Sequence, residues 1–155
     1  MSEPAAAPDA VALVSAELAT LILDVSKQLR MAAHAETKLA PLPESERDVL
    51  RLVYRRPGIS VSAVARELHM KSSNVSTAVR SLMQRGLMTR EADQADRRIA
   101  RLALTDVARQ NVRRIETSWA NQLGAALSQL EPGYRAALED AVPALRSLME
   151  VLREG

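Results

Sequence analysis

Residues 60–104 constrain the fold more than any other stretch of this 155-residue chain. The stretch begins with apolar residues at helical spacing, namely Val61, Val64, Ala65 and Leu68. Ser60 and Ser62 are candidate N-caps for this helix. A second helical pattern follows a short turn and ends at Gly86, where a left-handed residue is favourable. The spacing therefore predicts two short helices joined by a tight turn.

The second helix has two different faces. Its apolar side consists of Val75, Ala78, Val79, Leu82 and Met83. Its polar side consists of Ser72, Ser73, Asn74, Ser76, Thr77, Arg80 and Gln84. Small hydroxyl side chains let a helix approach a major groove closely, and Asn74 and Arg80 can pair with base edges. The same pattern also fits an ordinary amphipathic helix with a solvated polar face.

A two-stranded ribbon is predicted after Gly86. Residues 87–90 and 99–104 alternate as strands do, and residues 91–98 form a polar connection between them. Asp96 and Arg98 share one face of an extended strand, so Asp96 can brace the guanidinium. A braced arginine on a narrow hairpin suits a minor groove, where the negative potential is strong.

These residues resemble the winged helix-turn-helix of the MarR-family transcriptional regulators. The resemblance is carried by Ala65, Val75, Gly86-Leu87, Arg90, the Asp93-x-x-Asp-Arg-Arg98 wing and Leu102-x-Leu-Thr105. The flanking helices and the total length are also similar. Two positions depart from the family pattern: Ala108 stands where Gly is frequent, and residues 42–46 lack the usual Leu-Thr opening. Neither departure removes a DNA-contacting group.

The resemblance implies a mainly α fold with a small β-wing, flanked by N- and C-terminal dimerisation helices. It implies a dimeric regulator, most often a repressor, that reads a pseudo-palindromic site on double-stranded DNA. The expected major-groove residues are Ser72, Ser73, Asn74, Ser76, Thr77 and Arg80. Arg98, with Arg97 as second choice, is expected in the minor groove, and Lys71 and Arg90 on phosphates. A winged-helix module that binds proteins without reading DNA is the alternative.

Charge is concentrated around this motif. Residues 47–114 contain 15 Lys or Arg and 6 Asp or Glu, whereas the whole chain carries +2, so the remaining residues carry −7. Nucleic acid phosphate is the expected counterpart, because its neutralisation releases counterions and makes binding salt-dependent. A basic surface without a partner is the competing interpretation.

The flanking segments predict further helices. We expect residues 1–8 to be disordered, and residues 9–41 to hold an N-terminal dimerisation helix to about Ala33 and a linker in which a further helical turn is allowed. Residues 42–105 are expected to form the DNA-binding domain. Pro43 and Glu44 open a supporting helix in that domain, and the acids Glu44 and Glu46 are favourable at its positive end. Ile59 is a candidate for a short strand. Residues 106–155 are expected to form two C-terminal dimerisation helices. Thr105 caps the first of them, which is long, and the last helix, over residues 134–153, should kink or split at Pro143.

Apolar stripes on the first, fifth and sixth helices need a partner. A homodimer in which these helices interlock is the economical solution, and an intramolecular bundle is the alternative. Proteins of this family often bind small aromatic or amphipathic effectors beside these helices. In this chain such a pocket would be walled by the first and fifth helices, with Arg30, His34 or Trp119 as candidate lining, although Trp119 also fits a simple packing role.

Several classes of function are not expected. The chain has no cysteine, which excludes disulfides and thiolate metal sites, and the isolated His34 and His69 do not make a metal site. No phosphate loop or catalytic triad pattern is present, so we expect neither an enzyme nor a cofactor. No apolar run is long enough for a membrane span, and the N-terminus does not resemble a signal peptide, so a cytoplasmic protein is expected.

Overall fold

Six helices and one two-stranded sheet make up the part of the protein described by the computed structural model, residues 10–92 and 100–154. In chain order they are α1 (Ala10–Thr37), α2 (Glu44–Arg55), α3 (Val61–Glu67), α4 (Ser72–Gln84), β1 (Met88–Ala92), β2 (Ala100–Leu104), α5 (Asp106–Gln129) and α6 (Pro132–Glu154). The expected class, mainly α with a small β-wing, is confirmed. The predictions for residues 1–8 and for the wing tip fall outside the described residues.

The chain divides into two compact units. The central unit is Arg30–Glu116, and the other combines Met1–Leu29 with Thr117–Gly155. Helices α1 and α5 each contribute residues to both units. The central unit therefore contains the whole helix-turn-helix and the sheet.

The core of the central unit is aliphatic. Its largest fully buried side chains come from α2, α3, α4 and β2, and they are Val49, Val53, Val64, Val75, Val79, Leu82 and Leu102. The whole chain has no Phe, so small branched side chains must fill this space. Burying each of them contributes about 1.5–3 kcal/mol, and together they fix how α4 packs on α2 and α3.

The sheet is an antiparallel hairpin with Met88 opposite Leu104 and Ala92 opposite Ala100. The first strand is longer than the predicted 87–90, because Glu91 pairs opposite Arg101 and so remains in the ladder. The expected strand at Ile59 is reduced to an isolated bridge. There the Leu102 N–H donates to the Ile59 carbonyl at 3.0 Å, next to a bridge between Ser60 and Arg101.

Two predicted helix starts are confirmed by capping bonds. The Ser60 hydroxyl accepts from the Ala63 N–H and is the N-cap of α3, whereas Ser62 lies inside that helix. The Thr105 hydroxyl accepts from the Ala108 N–H at 3.2 Å and caps α5. Pro43 occupies the N-cap position of α2. Local sequence chemistry therefore decides where these elements begin.

Two helices extend beyond their predicted limits. Helix α1 continues past Ala33 to Thr37, because Thr37 is buried and its carbonyl accepts a hydrogen bond from Arg114 Nη2 at 3.0 Å. Helix α6 is not split at Pro143 but runs as one helix from Pro132 to Glu154. Across residues 10–92 and 100–154, no helix combines the length and apolarity needed to cross a membrane.

Candidate nucleic-acid interface

Helix α4 presents its polar face to solvent because its apolar face is locked into the core. Val75, Ala78, Val79 and Leu82 are all buried. The residues predicted to contact DNA lie elsewhere on the helix. Lys71, Ser72, Ser73, Asn74, Thr77 and Arg80 are exposed, and Ser76 is half-buried. The fold therefore brings seven predicted contact residues to one accessible surface.

The N-terminal end of α4 suits an anion. Lys71 occupies the N-cap position and makes no capping hydrogen bond with its side chain. The first-turn N–H groups of Ser72 and Ser73 have no acceptor within the helix, and the helix dipole adds partial positive charge there. A phosphate oxygen is the ligand that this combination favours.

One hydroxyl on the exposed face is already engaged. Thr77 Oγ1 donates to the Ser73 carbonyl at 3.0 Å, one turn earlier in α4. The hydroxyl proton of Thr77 is engaged in this bond, so the side chain presents only an acceptor oxygen and a methyl group to solvent. The Ser72, Ser73 and Ser76 hydroxyls remain the adaptable polar groups of this face.

The C-terminal end of α4 fixes how the chain enters β1. Gly86 has φ +68°, and the Leu87 and Gly86 N–H groups donate to the Leu82 and Met83 carbonyls, each at 2.9 Å. This pair of bonds is the Schellman arrangement that ends a helix in a left-handed residue. Thr105 Oγ1 also donates to the Gly86 carbonyl at 2.8 Å. The turn is therefore held from both sides, and it sets the position of β1 and of Arg90.

The prediction that Met83 belongs to the apolar face of α4 is wrong. Its side chain is 41% exposed. Met83 follows Arg80 by three residues and Ser76 by seven, so it lies on the flank of the helix that faces β1 rather than on the buried stripe. These residues, with Val79 and Arg90, line one groove of about 380 Å³. The helical spacing contained this signal, but the hydrophobicity of Met83 obscured it.

An ion pair missed by the sequence analysis links α2 to the end of α4. Glu46 in the first turn of α2 is 7% exposed, and its Oε2 lies 3.4 Å from Arg85 Nε. Glu46 was predicted only to favour the helix dipole. Nothing local in the sequence identifies Arg85, 39 positions later, as its partner.

Part of the basic excess is used by the fold itself. Arg56 pairs with Glu67, and Arg101 Nη1 donates to the Gly58 carbonyl at 3.1 Å. On α2, partial burial lowers the pKa of Arg51, and repulsion from Arg55 lowers it further. An arginine nevertheless stays charged at neutral pH. The net charge of the motif therefore overstates the number of cations available to a partner.

One family model matches the central part of the chain. The MarR family model matches residues 40–99, which run from just before α2 to the residue before β2. Over this segment the chain is similar to the MarR family. Curated protein sequences give no match.

Solved structures have the same fold over almost the whole chain. A Pseudomonas aeruginosa PA01 protein described as a transcriptional regulator is 27% identical with a TM-score of 0.78, covering 92% of this chain and 98% of that one. RV1404 from Mycobacterium tuberculosis is 20% identical with a TM-score of 0.76, covering 93% and 97%. Streptococcus pneumoniae FabT in complex with DNA is 18% identical with a TM-score of 0.69, covering 92% and 99%. The chain therefore has the fold of these proteins.

The remaining predicted site residues lie in separate parts of the chain. The wing residues Asp96, Arg97 and Arg98 lie outside the described residues. Arg30 and His34 lie on α1 in the central unit, and His34 Nδ1 is hydrogen-bonded to the Leu39 carbonyl at 2.9 Å. Trp119 is half-buried on α5 in the other unit. Among the residues that the structure describes, no three His, Asp or Glu side chains form a metal-ligand set.

Proposed function

We propose that this protein is a dimeric, sequence-specific DNA-binding transcriptional regulator that acts as a repressor. The observation that carries the proposal is the polar, exposed face of α4 on a helix whose opposite face is fully buried. Such a face has no role in packing, and its small hydroxyl and amide groups match the donors and acceptors of base edges. The DNA complex of the similarly folded FabT supports the same use of the fold. We place the protein in the cytoplasm, with its DNA.

We assign the contacts as follows. Helix α4 enters the major groove, and its contacts come from Ser72, Ser73, Asn74, Ser76, Thr77 and Arg80. The wing enters the adjacent minor groove through Arg98, with Arg97 as the second choice and Asp96 as the bracing carboxylate. Lys71 and Arg90 bind phosphates, which position the protein without reading sequence.

We further propose that residues 9–41 and 106–155 form the dimer interface, with residues 42–105 as the DNA-binding domain. Large apolar side chains on α1 and α6 are exposed in the single chain, for example Leu21 at 53% and Leu145 at 44%. A second copy of the chain would cover them. A two-fold dimer would set two α4 helices one helical turn of DNA apart, about 34 Å, or a multiple of that distance, so the operator should be a pseudo-palindrome.

An effector that releases the DNA is the last part of the proposal, and it rests on the family resemblance. The candidate contacts of a small aromatic or amphipathic compound are Arg30, His34 or Trp119. Trp119 is the only tryptophan of the chain, so its fluorescence reports on this region alone. Titration with phenolic compounds should change the emission and weaken operator binding together; an unchanged signal in both would contradict the effector.

The deciding experiment is selection of bound duplexes from a random pool at fixed, near-physiological salt. We expect enrichment of one pseudo-palindromic motif, together with a dimer in sedimentation equilibrium. An unenriched pool would contradict sequence-specific binding. An unenriched pool, together with an Arg98→Ala variant that binds a protein partner as tightly as the wild type does, would instead indicate a winged-helix interaction module.

A further inference from the structure

The groove beside α4 combines charge and apolar surface in an unusual way. It is formed by four residues of α4, Ser76, Val79, Arg80 and Met83, and by Arg90 of β1. Arg80, Met83 and Arg90 are exposed, whereas Val79 is buried and forms the floor. The groove is therefore cationic at its sides and apolar between them.

The charges on this groove are not balanced within the described part of the chain. Over residues 10–92 and 100–154, neither Arg80 nor Arg90 has an ion pair with a carboxylate. Two guanidinium groups that line the same groove repel each other, and a bound anion would convert that repulsion into two favourable contacts. The groove is thus suited to a negatively charged partner.

The exposed methionine needs a second explanation, because an anion alone does not require it. Met83 is exposed, although the sequence pattern placed it on the apolar face of α4, and it lies in the same groove as the two arginines. A partner that covers all three residues must alternate charged and apolar parts. The backbone of a nucleic acid strand does so, since each phosphate is followed by a deoxyribose whose carbon atoms are apolar.

The position of the groove identifies the part of DNA that it meets. If α4 occupies a major groove and the wing the neighbouring minor groove, one sugar-phosphate strand must pass between them. The surface between α4 and β1 is this groove. Bases are out of reach from that direction, because the strand itself separates them from the protein.

We propose that the groove between α4 and β1 seats the sugar-phosphate backbone of the DNA strand that separates the major from the minor groove. Arg80 and Arg90 bind its phosphates, and Met83 packs against deoxyribose. This inference rests on the proposed function and refines it, because Arg80 then acts on phosphate rather than on a base edge. Met83 becomes a DNA contact that the hydrophobic pattern did not predict.

The test is a phosphate scan of the selected operator with the full-length protein. Single phosphates are replaced by neutral methylphosphonates, and binding of the wild type is compared with that of Arg80→Ala and Arg90→Ala. We expect the wild type to lose about tenfold or more at one or two neighbouring phosphates of each half-site. Each arginine variant should lose sensitivity at its own phosphate, and its salt slope should fall by about 1.

Two further variants complete the design. Met83→Ala should weaken binding equally on the operator and on operators with single base changes, whereas Met83→Leu should restore affinity. Arg113→Ala is the matched control, because Arg113 is an exposed arginine of α5 in the same unit. It should leave the phosphate profile unchanged.

The outcomes separate this inference from the proposed function. If Arg80→Ala relaxes base preference and keeps the wild-type phosphate profile, Arg80 reads a base and the inference is wrong. An unenriched pool would contradict sequence-specific binding, yet the salt slopes on any duplex still test the groove. The groove inference would be overturned if the binding constants of Arg80→Ala and Arg90→Ala depended on salt concentration as steeply as that of Arg113→Ala.

Discussion

The pair formed by Glu46 and Arg85 should respond asymmetrically to mutation. The Glu46 side chain is almost fully buried, whereas the Arg85 side chain is 41% exposed. The two charges are 3.4 Å apart, and Glu46 Oε2 has no well-aligned hydrogen bond among the described residues. Removal of the cation therefore leaves a buried charge unpaired, whereas removal of the carboxylate leaves a cation that water can solvate.

The expected magnitudes follow from this difference. Glu46→Gln keeps the shape and removes one screened pair and one favourable dipole contact, which costs about 1 kcal/mol of unfolding free energy. Arg85→Ala leaves the buried carboxylate uncompensated and costs about 3 kcal/mol. The double variant should again cost about 1 kcal/mol rather than the roughly 4 kcal/mol of simple additivity, because the buried charge is gone.

Urea denaturation followed by circular dichroism measures these differences, with the protein concentration held constant because a dimer is proposed. Glu44→Gln is the matched control, since Glu44 is an exposed acid in the same first turn of α2. It should cost no more than about 0.5 kcal/mol. Additive effects in the double variant, or a larger cost for Glu46→Gln than for Arg85→Ala, would refute the reasoning.

Three further predictions concern α4 and its connection to the sheet. Leu82→Ala should cost about 2–5 kcal/mol because the side chain is fully buried, whereas Met83→Ala next to it should cost less than about 0.5 kcal/mol; urea denaturation compares them. Gly86→Ala should cost about 1–2 kcal/mol through its φ of +68° alone, since an added Cβ would meet no atom within 4 Å. The loss of unfolding free energy calculated from the drop in Tm should not exceed this value. Thr105→Val should cost about 1 kcal/mol by removing the cap of α5 and the bond to Gly86, and thermal unfolding of Thr105→Ser, which keeps the hydroxyl, is the control.

Local chemistry explains what the sequence predicted well. The cap at Ser60, the stop at Gly86 and the cap at Thr105 each depend on residues within about one helical turn, and all three are confirmed. The alternation of the strands and the buried stripe of α4 also depend on nearest neighbours. Such features can be found without knowing how the chain folds in three dimensions.

Contacts between distant residues explain what the sequence did not predict. Helix α1 extends to Thr37 because Arg114 binds its last carbonyl, 77 positions later in the chain. Glu46 was correctly placed at a helix start, but its partner Arg85 belongs to another helix. Met83 was assigned by hydrophobicity, and only the position of β1 reveals that its flank of α4 is uncovered. Each error arises where a second element decides the environment of a side chain.

The geometry of the interface follows from the same constraints. The C-terminal end of α4 is held by the Gly86 turn, by the Thr105 hydroxyl and by Glu46, so the step from α4 to β1 is fixed by the protein and not by its ligand. The N-terminal end has no side-chain cap and leaves its first N–H groups available. A helix that is anchored at one end and open at the other fixes the backbone positions of Arg80 and Arg90 relative to each other. Binding then loses less entropy than it would if these two backbone positions had to be ordered on contact with a strand.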